Sequence, residues 1–261
     1  MTTIDFITEL FCRVDDQMGS VRKHAKAVLW PSQSVTLGLR HALKGVGNRA
    51  CYRWLMRDYR VRFPHLPERT GLSRLFKTHQ AWRFMFRPQP ILLGIVDSFG
   101  IELIHPSRAG RSRQQIGRKG VSNHRWIVGG KLCLVINHWG GIAGWGWAPA
   151  NPHESWFHPI IEGFQRHRVV LAAMGFHAKT GEPANLKLCH RGECKDRMLL
   201  ETVLSMLTQG CHFKKVRHRV ADYFQSRLAF PVALFNVLVQ WQGWKTDEAG
   251  FVDLSIAEFS L

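Results

Sequence analysis

Acidic residues are scarce in this chain: 19 Asp and Glu stand against 36 Lys and Arg, a formal net charge of +17 over 261 residues. From Leu103 through His153 there is no acid at all, while Arg108, Arg111, Arg113, Arg118, Lys119, Arg125 and Lys131 fall inside the same stretch. Such an imbalance draws a protein to polyanions, because every phosphate it neutralises releases condensed counterions. Nucleic acid is therefore the expected partner, ahead of an anionic membrane surface. The 14 His add charge as pH falls through ~6.5.

Long hydrophobic runs are also lacking. Ala229 to Trp241 is broken by Pro231 and Asn236 and falls short of the ~20 residues a membrane span needs, which suits a buried helix. The start, Met1-Thr2-Thr3-Ile4-Asp5-Phe6, has no basic region and no apolar run, so no signal peptide is expected. Six scattered cysteines do not form a disulfide framework, and reduced thiols in a cytoplasm are the plainer reading. With 45% hydrophobic residues the chain has material for a full core, as one large or two modest domains.

What is present divides at Arg87-Pro88-Gln89-Pro90, which reads as a linker between residues 1–88 and 89–261. The first part reads as helical. Pro31-Ser32 opens an apolar-periodic segment that stops at Gly45 and Gly47. Asn48 is placed to cap the next, which runs to Asp58, and Thr70 to cap a third reaching Trp82 and Phe86. Arg49, Arg53, Arg57 and Arg60 recur every three or four residues and so share one helical face. That pattern fits a helix-turn-helix-like DNA-binding head; a helical cap with a solvated basic surface is the alternative.

Beyond the linker, short apolar runs alternate with Gly and polar residues. Strands are expected at 91–96, 131–136, 142–147 and 169–173, and helices at 155–164, 195–208 and 219–241. This order implies a mixed α/β layer around one sheet. The tail from Trp244 is mildly acidic and carries no readable role.

Asp97 closes the run Ile91 to Val96, ahead of the acid-free basic stretch. That stretch reads as a loop in which Gly110, Gly117 and Gly120 let backbone N–H groups approach phosphate, so that a carboxylate beside it would hold Mg²⁺ against a nucleic-acid backbone. Glu201 lies in an apolar run, Met198 to Leu207, where a buried carboxylate needs a partner or a cation. The plainer reading is an ion pair with Arg197 four residues earlier. Between these two acids, the run Val169 to Phe176 carries Ala173 and no acid.

These segments resemble the DDE transposases of bacterial insertion sequences. The likeness is strongest in Leu93 to Glu102, in Gln115-Ile116-Gly117-Arg118-Lys119-Gly120 and in Arg197 to Leu207. It implies a ribonuclease-H-like catalytic domain over 89–261, a mixed sheet with flanking helices, preceded by the small all-α region. It further implies three acids holding two Mg²⁺ (or Mn²⁺) ions for DNA cleavage and strand transfer. Asp97 matches the first acid, Glu201 the last, and Arg197 the arginine preceding it. Gly175-Phe176-His177 is the turn after the middle acid, whose own place is taken by Ala173. Cys194 stands where related sequences tend to carry an aromatic.

The resemblance implies a cytoplasmic, nucleoid-associated protein. It would bind double-stranded DNA, both element ends and target, as a homodimer, through Arg49, Arg53, Arg57, Arg108, Arg111, Arg113, Arg118, Lys119 and Arg125. A copy without its middle acid is expected to be weak or inactive, and a non-catalytic DNA-binding derivative is the alternative. Glu102, Glu154 and Glu182 are the nearby acids available to compensate. Cys189-His190, Cys194 and Cys211-His212 supply soft zinc ligands, but without the paired spacing of a zinc site. Trp139, Trp145, Trp147 and Trp156 offer stacking faces for unpaired bases, although the period-two pair Trp145 and Trp147 better fills core.

Overall fold

A computed structural model describes residues 2–88, 92–122, 125–164, 168–190, 197–213, 216, 220–246 and 252–259, with the backbone alone at residues 83, 197, 245, 246 and 252. The linker residues Gln89 and Pro90, and Cys194, lie outside the described residues. Helix α1 (Thr3–Gln17) starts on a capping box: the Thr2 hydroxyl accepts the Asp5 N–H at 3.2 Å, and the Asp5 carboxylate accepts the Thr2 N–H at 3.1 Å. Helix α2 (Pro31–Lys44) has proline at its first position and closes at Gly45, whose φ of 62° is a left-handed cap.

Helices α3 (Asn48–Asp58) and α4 (Arg69–His79) follow, the latter continued by a 3-10 turn over Gln80–Phe86. Their starts differ from the expected caps. Gly47 precedes α3, and the Asn48 amide is spent on the Ser73 hydroxyl of α4, 3.2 Å away. Glu68 precedes α4, and the Thr70 hydroxyl donates to its carboxylate at 2.5 Å. Each polar side chain has found a tertiary or side-chain partner in place of a free helix N–H.

Helix α2 is the buried centre of this region, with Val35, Leu37, Leu39 and Ala42 in the core. Arg40, also buried, lies between the rings of Phe6 and Trp54, at 5.6 and 5.0 Å. Gly38 lets the helix approach the ring of Phe230, which a Cβ would overlap. Alanine gains about 1 kcal/mol in helix propensity but overpacks the contact by about 1–3 kcal/mol. Gly38→Ala should therefore lower stability by up to about 2 kcal/mol in a urea melt. A midpoint at or above wild type would show that Phe230 yields freely.

The sheet is mixed. Strands β1 (Leu93–Ile104), β2 (Arg118–Ser122), β3 (Arg125–Asn137) and β4 (Ile142–Pro149) are antiparallel neighbours, with β3 pairing all of the other three. On the other side of β1, β5 (Val169–Ala173) and β6 (Leu186–Cys189) run parallel to it in succession. Helix α5 (His158–Glu162), with a 3-10 turn over Glu154–Phe157, connects β4 to β5. Helices α6 (Arg197–Gln209) and α7 (Ala221–Gln242) complete the α/β arrangement.

Period-two alternation assigns the faces. Ile95, Phe99 and Ile101 of β1, and Leu132, Leu134 and Ile136 of β3, join one core with Leu200, Val203 and Leu207 of α6 and most of α7. Val96, Cys133 and Val135 join a smaller core with Phe157, Ile161, Ala172 and Phe176 on the opposite face. The larger core also includes Phe6, Leu37, Leu55 and Phe76, so the helices before residue 89 and the sheet after it share hydrophobic packing through α7. The tail belongs to it too: Phe259 packs on Phe6 and Trp241, and the strands β7 (Lys245–Thr246) and β8 (Val252–Asp253) form a small hairpin. No helix among the described residues is long and apolar enough to cross a membrane.

Candidate functional site

Asp97 stands fifth in β1, opposite Leu134 of β3, and by alternation on the larger-core face that α6 covers. One of its carboxylate oxygens accepts the Ser98 N–H at 2.8 Å. The parallel register pairs Val96 with Ala172, so the next position places Ala173 beside Asp97 on the same face, with Cys189 of β6 following across from Ala173. Of these neighbours Asp97 carries carboxylate oxygens, whereas Ala173 contributes a methyl group.

Glu201 sits one turn into α6 and is exposed; Leu200, Val203 and Leu207 take the inward face. The cost of burying a carboxylate, used above to favour a ligand role, therefore does not arise. The apolar run is sorted by the 3.6-residue period, and Glu201 falls on the solvent side. The side chain of Arg197 lies outside the described residues, and with it the expected pairing to Glu201.

The three compensating acids are each engaged elsewhere or remote. Glu154 accepts the Ser98 hydroxyl at 2.7 Å and lies directly against Gly175. Because Ser98 points to the smaller-core face, Glu154 links β1 to the 3-10 turn Met174–Phe176 that follows β5, on the side away from Asp97. Glu182 accepts the Ala178 N–H at 2.8 Å and pairs with His177 at 2.7 Å; the backbone bond and the imidazole hold its carboxyl below its ordinary value. Glu102 is exposed, farther along β1. The Cys133 thiol, on the smaller-core face, is pushed well up, first by burial and then by the carboxylates of Asp97 and Glu154. No group of three or more His, Cys, Asp or Glu placed to hold a metal ion occurs among the described residues. Among the described residues, the donor set thus does not fit a two-ion centre. Of the candidate zinc ligands, Cys211 is buried, and burial pushes its thiol up to about 12.

The basic stretch is only partly a loop. From Asp97, β1 continues to Ile104, so Arg108 begins more than roughly 20 Å along the strand from the carboxylate. Arg118 and Lys119 lie on β2, Arg125 and Lys131 on β3, and Lys131 donates to the Pro152 carbonyl at 3.2 Å. Gly117 (φ 82°) and Gly120 are packed against the backbones of Gly129 and Ala150. Their lack of a side chain serves that close approach. Gly110 (φ 78°) alone of the three has open space around it. Arg108, Arg111, Arg113, Arg118, Lys119 and Arg125 are exposed, and none enters an ion pair among the described residues.

On α3, Arg49, Arg53 and Arg57 are exposed, opposite the buried Cys51 and Leu55, as expected; Arg60, also exposed, lies past the end of the helix at Asp58 and not on its face. Arg57 is tied to Asp58 by two hydrogen bonds of 2.6 and 2.8 Å. Trp147 packs edge-on against Phe224 at 5.0 Å and Trp145 is partly buried in the same core, whereas Trp139 and Trp156 are exposed. Trp126, 62% exposed, had no sequence signal and is revealed only by the strand pairing around it; for Glu154, an expected candidate, it was the partner Ser98, 56 residues away, that spacing did not show.

No family model, no curated protein and no solved structure matches the chain.

Proposed function

We propose that the chain is a DNA-binding protein of the insertion-sequence transposase type, with a ribonuclease-H-like core whose metal centre lacks its middle acid. The observation that carries this reading is the register of the central parallel pair, in which Ala173 stands beside Asp97 under the helix that bears Glu201. A sheet with β1 at its centre, antiparallel strands on one side and parallel ones on the other, is compatible with that core. The exposed cations from Arg108 to Arg125 and along α3 are the surfaces assigned to duplex DNA, and Asp97 and Glu201 the remaining metal-type acids.

The second reading, a non-catalytic DNA-binding derivative, is favoured by the methyl group at residue 173 and by Glu154 being held on the opposite face. Both readings predict binding dominated by phosphate contacts. With about six of them, affinity for a blunt duplex should fall by about 10³-fold or more between about 50 and 200 mM salt. Asp97→Ala should leave that affinity unchanged. Salt-insensitive binding, or none, would remove both readings.

A further inference from the structure

β2 and the start of β3 form a two-stranded ribbon, Arg118–Ser122 against Arg125–Gly129. Alternation sends Lys119, Val121, Trp126 and Val128 to one face and Arg118, Gly120, Arg125 and Ile127 to the other. Its base is locked: Val128 and Ile127 are buried, and Gly120 and Gly117 lie against the backbones of Ala150 and Gly129. Burial then stops. Trp126 is 62% exposed and directly opposite Val121, itself 46% exposed. A lone exposed aromatic is ordinary on a protein surface. Here it belongs to an apolar cross-strand pair on a rigid support.

The ribbon's charges identify what it fits. The Lys119 ammonium lies 5.0 Å from the centre of the Trp126 ring, and Arg118 and Arg125 are exposed without an ion pair among the described residues. A protein partner would have to desolvate these cations around the contact, and interface cores are depleted in charge. A nucleic acid presents both complements together, a flat base for the indole and phosphates for the cations.

The geometry points to the β2–β3 ribbon as a DNA-contact element, in which Trp126 packs against a nucleobase while Lys119, on the same face, takes a flanking phosphate and Arg118 and Arg125, on the opposite face, add to the positive field around it. This rests on the DNA-binding reading above and adds to it a base-contacting residue. The base is either unpaired or reached in a groove, since a two-stranded ribbon enters the major groove.

The test uses the full chain and anisotropy of a labelled blunt duplex of about two helical turns, beside the same duplex with a single-stranded tail. Trp126→Ala should weaken binding about tenfold, as loss of one base–aromatic contact does, with the salt slope unchanged. Lys119→Ala should instead reduce the slope by about 0.9. Trp126→Phe should retain most of the affinity. A loss confined to the tailed duplex assigns an unpaired base; a loss on both assigns a groove contact. Trp30→Ala is the control, because Trp30 is also exposed, with Lys23 at 5.7 Å from its ring, but lies on the helical region. Wild-type-like binding by Trp126→Ala, an equal loss in Trp30→Ala, or a change in oligomeric state alone would overturn the ribbon's role while leaving DNA binding intact. Absence of DNA binding by the wild type would overturn the DNA-binding reading itself.

Discussion

Asn236→Leu should lower the stability of the protein by about 2–5 kcal/mol, because it strands two buried backbone groups at once. Asn236 lies midway along α7 with 3% of its surface exposed. Its carbonyl oxygen accepts the Ile142 N–H, and its amide donates to the Ile142 C=O, both at 2.9 Å. Ile142 opens β4, whose other neighbour is β3, so these groups belong to an edge that the helix seals. Leucine has nearly the right volume and no polar atom. It would keep water out while leaving both groups unpaired, which is worse than a cavity that water can enter. For a chain of this size the loss corresponds to a fall in Tm of roughly 5–15 °C. Asn236→Ala should cost less than Asn236→Leu if the site admits water. An unchanged Tm for Asn236→Leu would show that the edge finds other partners.

Asn236 also shows where the sequence was legible and where it was not. A polar residue in an apolar helical run announced a buried helix, yet nothing in the run named Ile142 as its partner, 94 residues away. β4 and β5 were readable almost to their ends, whereas the expected 131–136 and 91–96 caught only the more apolar part of β3 and the start of β1. β2 was not, because Arg118-Lys119-Gly120-Val121-Ser122 buries only a glycine and so leaves no hydropathy pattern. β6 was missed although Leu186-Lys187-Leu188-Cys189 alternates, because four residues are too few to establish a period. Glycine content was visible at Gly117 and Gly120, but a glycine does not say whether backbone or phosphate approaches it. Periodicity did place the arginines of α3 on an exposed face, since one helix decides that locally. The candidate site is a mixture of the two cases. Ala173 was placed by a strand end, whereas Asp97, expected just past one, stands fifth in a twelve-residue strand, and the exposure of Glu201 and the engagement of Glu154 depend on tertiary packing.

Ala173→Asp should convert a protein with little or no Mn²⁺- or Mg²⁺-dependent nicking of terminal-repeat DNA into one that nicks measurably. Removal of one preorganised electrostatic group costs on the order of 10²–10³ in rate, and a bridging acid should be worth at least that. The variant also carries a signature independent of activity. Neighbouring strands are about 4.8 Å apart, so the new carboxylate would face Asp97 at roughly 5 Å, with a repulsion of about 1–3 kcal/mol at effective dielectric constants of 20–80. Like charge raises the carboxyl pKa of the folded state. The penalty is absent below the ordinary carboxyl value, grows as pH rises from that value to the raised one, and is constant above it. A repulsion of about 1–3 kcal/mol corresponds to roughly one or two pKa units, so the Tm of Ala173→Asp should fall below wild type increasingly from about pH 4 to 6 and stay below it at higher pH. Mn²⁺ should close that gap in the variant and leave the wild type unmoved. Robust cleavage by the wild type would refute the impaired-centre reading. A variant whose Tm ignores Mn²⁺ would show that Asp97 and Glu201 are not remnants of a metal centre. Mn²⁺ rescue of Tm without nicking would place further losses outside residue 173, and would favour the non-catalytic derivative.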